Sequence, residues 1–529
     1  MKTTLRIVLT SILCSTSQVG CRLFEVIQHP KRTSLNDESP THVTPVANFS
    51  LQDPGCQSTE GITNIGSQTV TRWKQGETKT EAIDFSGVSA DGTTGIHSQF
   101  VGFTIFGLRQ REIKQCTKLA SGDLDCTSEG EELISGGSPL RLCKKDFEYS
   151  RTSVESVALA TTATIEQAGQ FYKANVPSGR TLDPIWSLVL PSIDVQYRGK
   201  SSQGTDISVS EQKSDNAFWS TGSGKRPDGT SQEIKIITVF PPSMDFQASN
   251  KSGAKGLWEL PFVVAHEFGH HVFFSNVLSL RSLFSVGNAV ITQKEDGFEI
   301  SNASDIVADQ SASTAKSILA RKLGADFIPN AFRMASNPVR EIGTSEAFVA
   351  INEAFADLFA QYSVGGIESM QAIPGICENR DLTKNTFIYA GKQVRKSLDT
   401  PELKSFISPS GSSDRSIDSN GCVGISFQDP HVVGAIVASG FHSLLSDLTS
   451  DGARVRVLVQ WAQSLDLEMS LSGSNPQVLL INSLWAIADK AAAANNGTLS
   501  ARQCNSFKSS FPIAVSEDPR KLASLGCLN

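Results

Sequence analysis

The spacing of hydrophobic and polar positions changes along the chain, and the predicted elements change with it. A short apolar run, Ile7 to Cys14, is followed by a polar stretch from 22 to about 50 with prolines at 30, 40 and 45. Residues 51 to 150 then carry brief apolar runs, such as Phe100-Val101-Gly102-Phe103-Thr104-Ile105-Phe106, separated by Gly, Ser and Asp. Runs of this kind bounded by turn residues read as strands. The period lengthens at Ile165, Ala168, Phe171 and Tyr172, which predicts a helix over Ile165 to Val176. Strand-like runs return at Ser187 to Leu190, Ile193 to Tyr197 and Ile234 to Phe240. Beyond residue 260 helices dominate: around Phe262 to Phe274, Ser304 to Leu323, Ala350 to Ala360, Val455 to Ala462 and Val478 to Ala494. The stretch from about 365 to 425 reads as loops. The pattern as a whole predicts an α+β chain.

One of these helices carries candidate chemistry. Val264-Ala265-His266-Glu267-Phe268-Gly269-His270-His271-Val272 contains H-E-x-x-H. In a helix, His266 and His270 lie one turn apart on one face, where two imidazoles can share a Zn²⁺. Glu267, on the neighbouring face, can reach a water on that ion. The same residues also fit a plain core helix whose histidines pair with backbone or carboxylates. A second helix offers Glu353 and Asp357, again one turn apart, within Ala350-Ile351-Asn352-Glu353-Ala354-Phe355-Ala356-Asp357-Leu358-Phe359-Ala360. Apolar residues on both sides argue against a solvated face. A metzincin-type third ligand is excluded, because Phe273 and Asn276 stand where that pattern needs Gly and His.

Composition bounds the alternatives. A chain of 529 residues is long for one domain. Its net charge of −7 and lack of a basic stripe give no reason to expect nucleic acid as a partner. Lys2 and Arg6 before the Ile7 to Cys14 run form an export signal, too short to span a bilayer. It ends at Gln18-Val19-Gly20-Cys21, which resembles a bacterial lipobox with Gln18 in place of the usual Leu. Lipidation of Cys21 would anchor the chain to a membrane; ordinary cleavage would release it. Apart from Cys14 and Cys21, eight of the ten cysteines remain, an even number that reads in an oxidising compartment as four disulfides. Their clustering in sequence favours Cys116–Cys126, across a turn at Ser121-Gly122-Asp123, with Cys56–Cys143, Cys377–Cys422 and Cys504–Cys527, although connectivity cannot be deduced from sequence.

Three short motifs carry a family resemblance, spread over residues 160 to 450. Asn216-Ala217-Phe218-Trp219 is similar to the edge strand beside the zinc of the thermolysin family. The Glu353 helix resembles the third-ligand helix of the gluzincins, the larger group that contains thermolysin. Asp429-Pro430-His431-Val432-Val433-Gly434 resembles the thermolysin and fungalysin segment in which a catalytic histidine opens a helix. The long link from His271 to Asn352 departs from that family. The resemblance implies zinc held by His266, His270 and Glu353, with Asp357 orienting a ligating histidine. It implies Glu267 as general base and His431 as a donor to the oxyanion. It also implies that Asn216 and the Ala217 carbonyl hold an extended peptide as an added strand.

The resulting expectation is an exported zinc endopeptidase. Its fold would be a two-lobed thermolysin-like catalytic unit, preceded by a small disulfide-bonded β module. The expected divisions are a signal at 1–21, a tether at 22–50, the β module at 51–150, an N-lobe with the zinc helix at 151–275, an insertion at 276–345 and a helical C-lobe at 346–529. The alternative is a surface-anchored binding lipoprotein that keeps a peptidase fold without activity.

Overall fold

A computed structural model describes residues 62 to 527 with breaks, the longest at 242–255, 278–288, 303–337, 367–379 and 399–429. The chain divides into two compact units: residues 1–166 with 183–264, and residues 167–182 with 265–529. Cys56, Cys143, Cys377, Cys422 and the predicted helix at 304–323 lie outside the described residues. Among the described residues, no helix is long and apolar enough to cross a membrane.

The first unit is built on β-structure. Strands β1 (Ser67–Lys74) and β2 (Glu77–Asp84) form an antiparallel hairpin, and β3 (Ser89–Asp91) pairs with β4 (Gly95–His97). The main sheet uses β5 (Val101–Lys118), β6 (Leu124–Pro139), β7 (Ile185–Val189), β8 (Ser192–Lys200), β9 (Asp206–Gln212), β10 (Ala217–Lys225) and β11 (Ser231–Val239). Its order is β10-β11-β7-β5-β8-β9, with β6 on the other side of β5. The long β5 is the organiser: its first part pairs in parallel with β7 and its later part with β8. Leu190, with φ of 48°, breaks what would otherwise be one continuous partner strand. Ile105, Leu108, Trp186, Leu188 and Ile236 form a core on this sheet.

This arrangement differs from the expected boundary at residue 150. The strands at 101–139 hydrogen-bond into the same sheet as those at 185–239, so they are not a separate module. Parallel pairing between distant segments leaves no trace in local periodicity. Cys116 is disulfide-bonded, and its cross-strand partner in register is Cys126.

Helix α1 (Val154–Asn175) begins eleven residues before the predicted start. Residues 154 to 165 are buried throughout, polar ones included, so no solvent-facing side marks the extra turns.

The second unit is largely helical, with α2 (Pro261–Asn276) contributing its residues from 265 onward. The hairpin of β12 (Ala289–Lys294) and β13 (Gly297–Asn302) falls in the long link. There follow α3 (Pro338–Ser363), a hairpin of β14 (Thr386–Tyr389) and β15 (Lys392–Arg395), and then α4 (Pro430–Leu445), α5 (Asp451–Ser472) and α6 (Pro476–Ala494). Short helices α7 (Ala501–Ser510), α8 (Pro512–Glu517) and α9 (Pro519–Ser524) end the chain. Ser500 caps α7 in a reciprocal box with Gln503, satisfying two orphan backbone donors. The Cys504–Cys527 disulfide closes this segment, worth about 3 kcal/mol for a loop of this order.

Candidate metal centre

Two helices of the second unit build the site. Proline at the first position of α2 suits a turn whose backbone N–H groups have no partner inside the helix. The rest of α2 is apolar on nearly every face, which only a buried helix tolerates. It is held against α3 by aromatic contacts: Phe273 lies 5.2 Å from Phe355 and Phe268 6.2 Å from Phe359, between ring centres. Gly269 makes the close approach possible, since a Cβ there would sit 2.9 Å from the Cα of Ala356. The missing side chain brings the His266–His270 face of α2 against the Glu353–Asp357 face of α3.

Helix α4 crosses α3 at the same level. A Cβ on Gly434 would lie 2.7 Å from the Cβ of Glu353 and 2.9 Å from the Ala350 carbonyl. This contact places the start of α4 beside the candidate ligand. His431 is three residues before Gly434 on α4, about one turn away; its side chain lies outside the described residues.

His266, His270 and Glu353 are all buried, and one potential ligand atom from each lies within 4.8 Å of the others. The two Nε2 atoms are 3.1 Å apart. Glu353 turns Oε2 to His266 at 3.2 Å and Oε1 to His270 at 3.5 Å. On the far side of the first ring, Nδ1 of His266 meets Oδ1 of Asp357 at 2.9 Å. The Nδ1 contact with that carboxylate turns Nε2 towards His270 and Glu353, where it would be the ligating atom once it gives up its proton.

Arg380 completes the cluster, and nothing in the sequence pattern marked it. From a loop after α3, its Nε donates to Asp357 Oδ2 at 3.2 Å and its terminal nitrogen to Oδ1 at 2.5 Å. The same terminal nitrogen reaches Glu353 Oε2 at 3.4 Å. Glu267 is buried too, and its charge acts on Arg380.

The charges explain the protonation pattern. Burial raises the Asp357 carboxyl, but Arg380 and the His266 hydrogen bond hold it below the usual range. Burial and the Arg380 charge push His266 down, yet hydrogen bonds to Asp357 and Glu353 outweigh them and raise its pKa to about 9. Burial takes His270 down to about 4 against the opposing pull of Glu353, so its imidazole is neutral.

No protein-family model matches the chain, and no curated protein sequence matches it. The site must therefore be judged on its own donor set, and that set fits a metal ion. Two nitrogens bound at 2.0–2.1 Å to one tetrahedral ion stand about 3.3 Å apart, close to the spacing seen between the rings. A divalent cation between the rings and Glu353 would be held by two imidazole nitrogens and a carboxylate oxygen, a donor set that suits zinc.

The other expected residues fall elsewhere. Asn216 lies outside the described residues. Ala217 opens β10, an edge strand of the first unit, and is buried; the metal cluster belongs wholly to the second unit. His442 is on α4 well beyond His431, with Nδ1 3.4 Å from the Tyr362 hydroxyl. Burial and the Arg454 charge lower its pKa. Gly269 and Gly434 had a readable signal, since an isolated glycine inside a helical pattern carries a cost that close packing can justify.

Proposed function

We propose that the chain is a zinc-dependent endopeptidase of gluzincin type. The observation that carries this reading is the convergence of His266, His270 and Glu353 from two buried helices, with Glu267 next in sequence to the first ligand. Two imidazoles and one carboxylate are the donor set of a catalytic zinc, which keeps a fourth position open. When bound, zinc would supply a Lewis acid for the scissile carbonyl and acidify a water beside it.

The chain's own residues do the rest. Glu267 takes a proton from the attacking water as the oxygen bonds to the carbonyl carbon. It then returns that proton to the amine nitrogen as the C–N bond breaks, so the base is regenerated. Asp357, clamped by Arg380, keeps the His266 ring turned so that Nε2 is the ligand atom. His431, from the start of α4, donates a hydrogen bond to the developing oxyanion. The same reading places the protein outside the cytoplasm, anchored through Cys21 or secreted. Disulfides such as Cys504–Cys527 are in keeping with an oxidising compartment.

Zinc titration of the full chain tests the site. Wild type should bind about one Zn²⁺ per chain, and Glu353→Ala should bind it far more weakly with the fold retained. Undiminished zinc binding by Glu353→Ala would remove the proposed ligand set.

A further inference from the structure

Arg380 makes a two-pronged contact with Asp357 and also reaches Glu353, yet it stands on a loop rather than on either ligand helix. Such a contact holds its geometry only while the guanidinium itself is kept to within about 0.5 Å of its place. Something must therefore fix the loop. Within the loop, Asp381 Oδ1 accepts from the Thr383 backbone at 2.9 Å and from its hydroxyl at 2.6 Å, and the Lys384 N–H donates to the Asp381 carbonyl at 3.2 Å. These bonds shape the turn from within.

Lys396 supplies a tie to the outside. It follows β15 and is only 5% exposed, unusual for a lysine. Its Nζ donates to the Asp381 carbonyl at 2.5 Å and to Ser439 Oγ on α4 at 3.3 Å. Its backbone N–H also bonds the Asn385 carbonyl at 2.7 Å, at the other end of the same turn. Helix α4 is the element whose Gly434 rests on Glu353. Lys396 thus joins the residue after Arg380 to the helix that abuts the third ligand. The two bonds tie the turn to α4.

We propose that Lys396 is a positioning residue for the metal centre, holding Arg380 in register with Asp357 and Glu353 by linking the Asp381 carbonyl to Ser439 of α4. This rests on the reading of His266, His270 and Glu353 as metal ligands.

The test compares zinc affinity, by competition with a chromophoric chelator, in full-length wild type, Lys396→Met, Arg380→Ala and the double variant. Hydrogen–deuterium exchange of residues 380–385 is followed alongside. Loss of an outer partner of a metal ligand costs about 10–100-fold in affinity. Arg380→Ala should show that loss, Lys396→Met about 10-fold, and the double variant no more than Arg380→Ala alone. Exchange in the turn should quicken in Lys396→Met. Affinity within about twofold of wild type in Lys396→Met, or losses that add in the double variant, would overturn the proposal. Should Lys396→Met not fold, Ser439→Ala cuts only the helix end of the tie; unchanged affinity and exchange there would overturn it as well. If wild type binds no zinc, the functional reading fails separately. Exchange then decides the role of Lys396, and an unaltered turn counts against it.

Discussion

Gly434→Ala adds one methyl group where α4 meets α3, and its consequences can be worked out from the contact. The new Cβ would stand 2.7 Å from Glu353 Cβ and 2.9 Å from the Ala350 carbonyl. Carbon atoms prefer about 3.5–4.0 Å, so the helices must separate locally by about 1 Å. Overpacking of this kind costs about 1–3 kcal/mol. The displaced group is the stem of Glu353, the proposed third ligand, and metal–ligand distances tolerate only about ±0.2 Å. Zinc affinity should therefore fall at least about 10-fold, a loss comparable to that from removing an outer partner. Gly440→Ala is the control, because on the same helix its Cβ would meet Phe511 at 2.2 Å instead of a ligand. It should cost as much stability or more while leaving zinc affinity per folded molecule unchanged. Chelator competition with parallel thermal melts separates the two effects. Wild-type affinity in Gly434→Ala, or an equal affinity loss in Gly440→Ala, would mean that the Gly434 contact does not set the place of Glu353.

Other predictions address the remaining members of the site. Asp357→Asn should weaken zinc binding about 10–100-fold with Glu353 still in place, measured by the same competition. His431→Ala should lower kcat about 10²–10³-fold with little change in KM if it donates to the oxyanion; a stability loss with normal turnover per folded molecule would make it a helix-start residue only. In metal-stripped protein, His266 has a raised pKa, so its stabilising contribution is complete below about 6.5 and is lost as pH rises through about 9. His270 has a depressed pKa, so its contribution is present above about 6.5 and is lost as pH falls through about 4. Urea unfolding of chelated protein should show these two groups favouring the fold most near pH 6.5, and a stability that keeps rising from pH 6.5 to 9 would contradict the His266 assignment.

How much was legible in the sequence depended on whether residues act within one helix. His266 and His270 share a face because they are four apart, and Glu353 and Asp357 do so for the same reason; spacing alone reveals both pairs. Arg380 stayed hidden, because no periodicity places a loop residue against a helix many residues upstream. Lys396 was hidden for a similar reason: a lysine in a polar stretch reads as solvated until its buried partners are seen. The strands at Ile185–Val189, Ser192–Lys200 and Ser231–Val239 fall on the apolar runs that predicted them. The run at Phe100–Phe106 falls on β5, but its parallel pairing with β7 and β8 does not announce itself, and the expected division at residue 150 followed from that. The first turns of α1 were missed because residues 154 to 165 are all buried, Glu155, Ser156, Thr161, Thr162 and Thr164 included, so polarity does not mark a solvent face there.

The proposed hydrolysis of peptide bonds by Glu267 at a zinc site can be measured with a pool of fluorescence-quenched peptides. Zinc-loaded wild type, the chelated protein, the chelated protein with zinc restored, and zinc-loaded Glu267→Gln are compared at equal concentration. Zinc-loaded wild type should cleave the peptides, lose that activity on chelation and regain it with zinc. Glu267→Gln should be at least about 10²-fold slower, the scale for losing a general base, with zinc content unchanged. Equal cleavage by zinc-loaded Glu267→Gln, or none by zinc-loaded wild type, would rule out this role of Glu267.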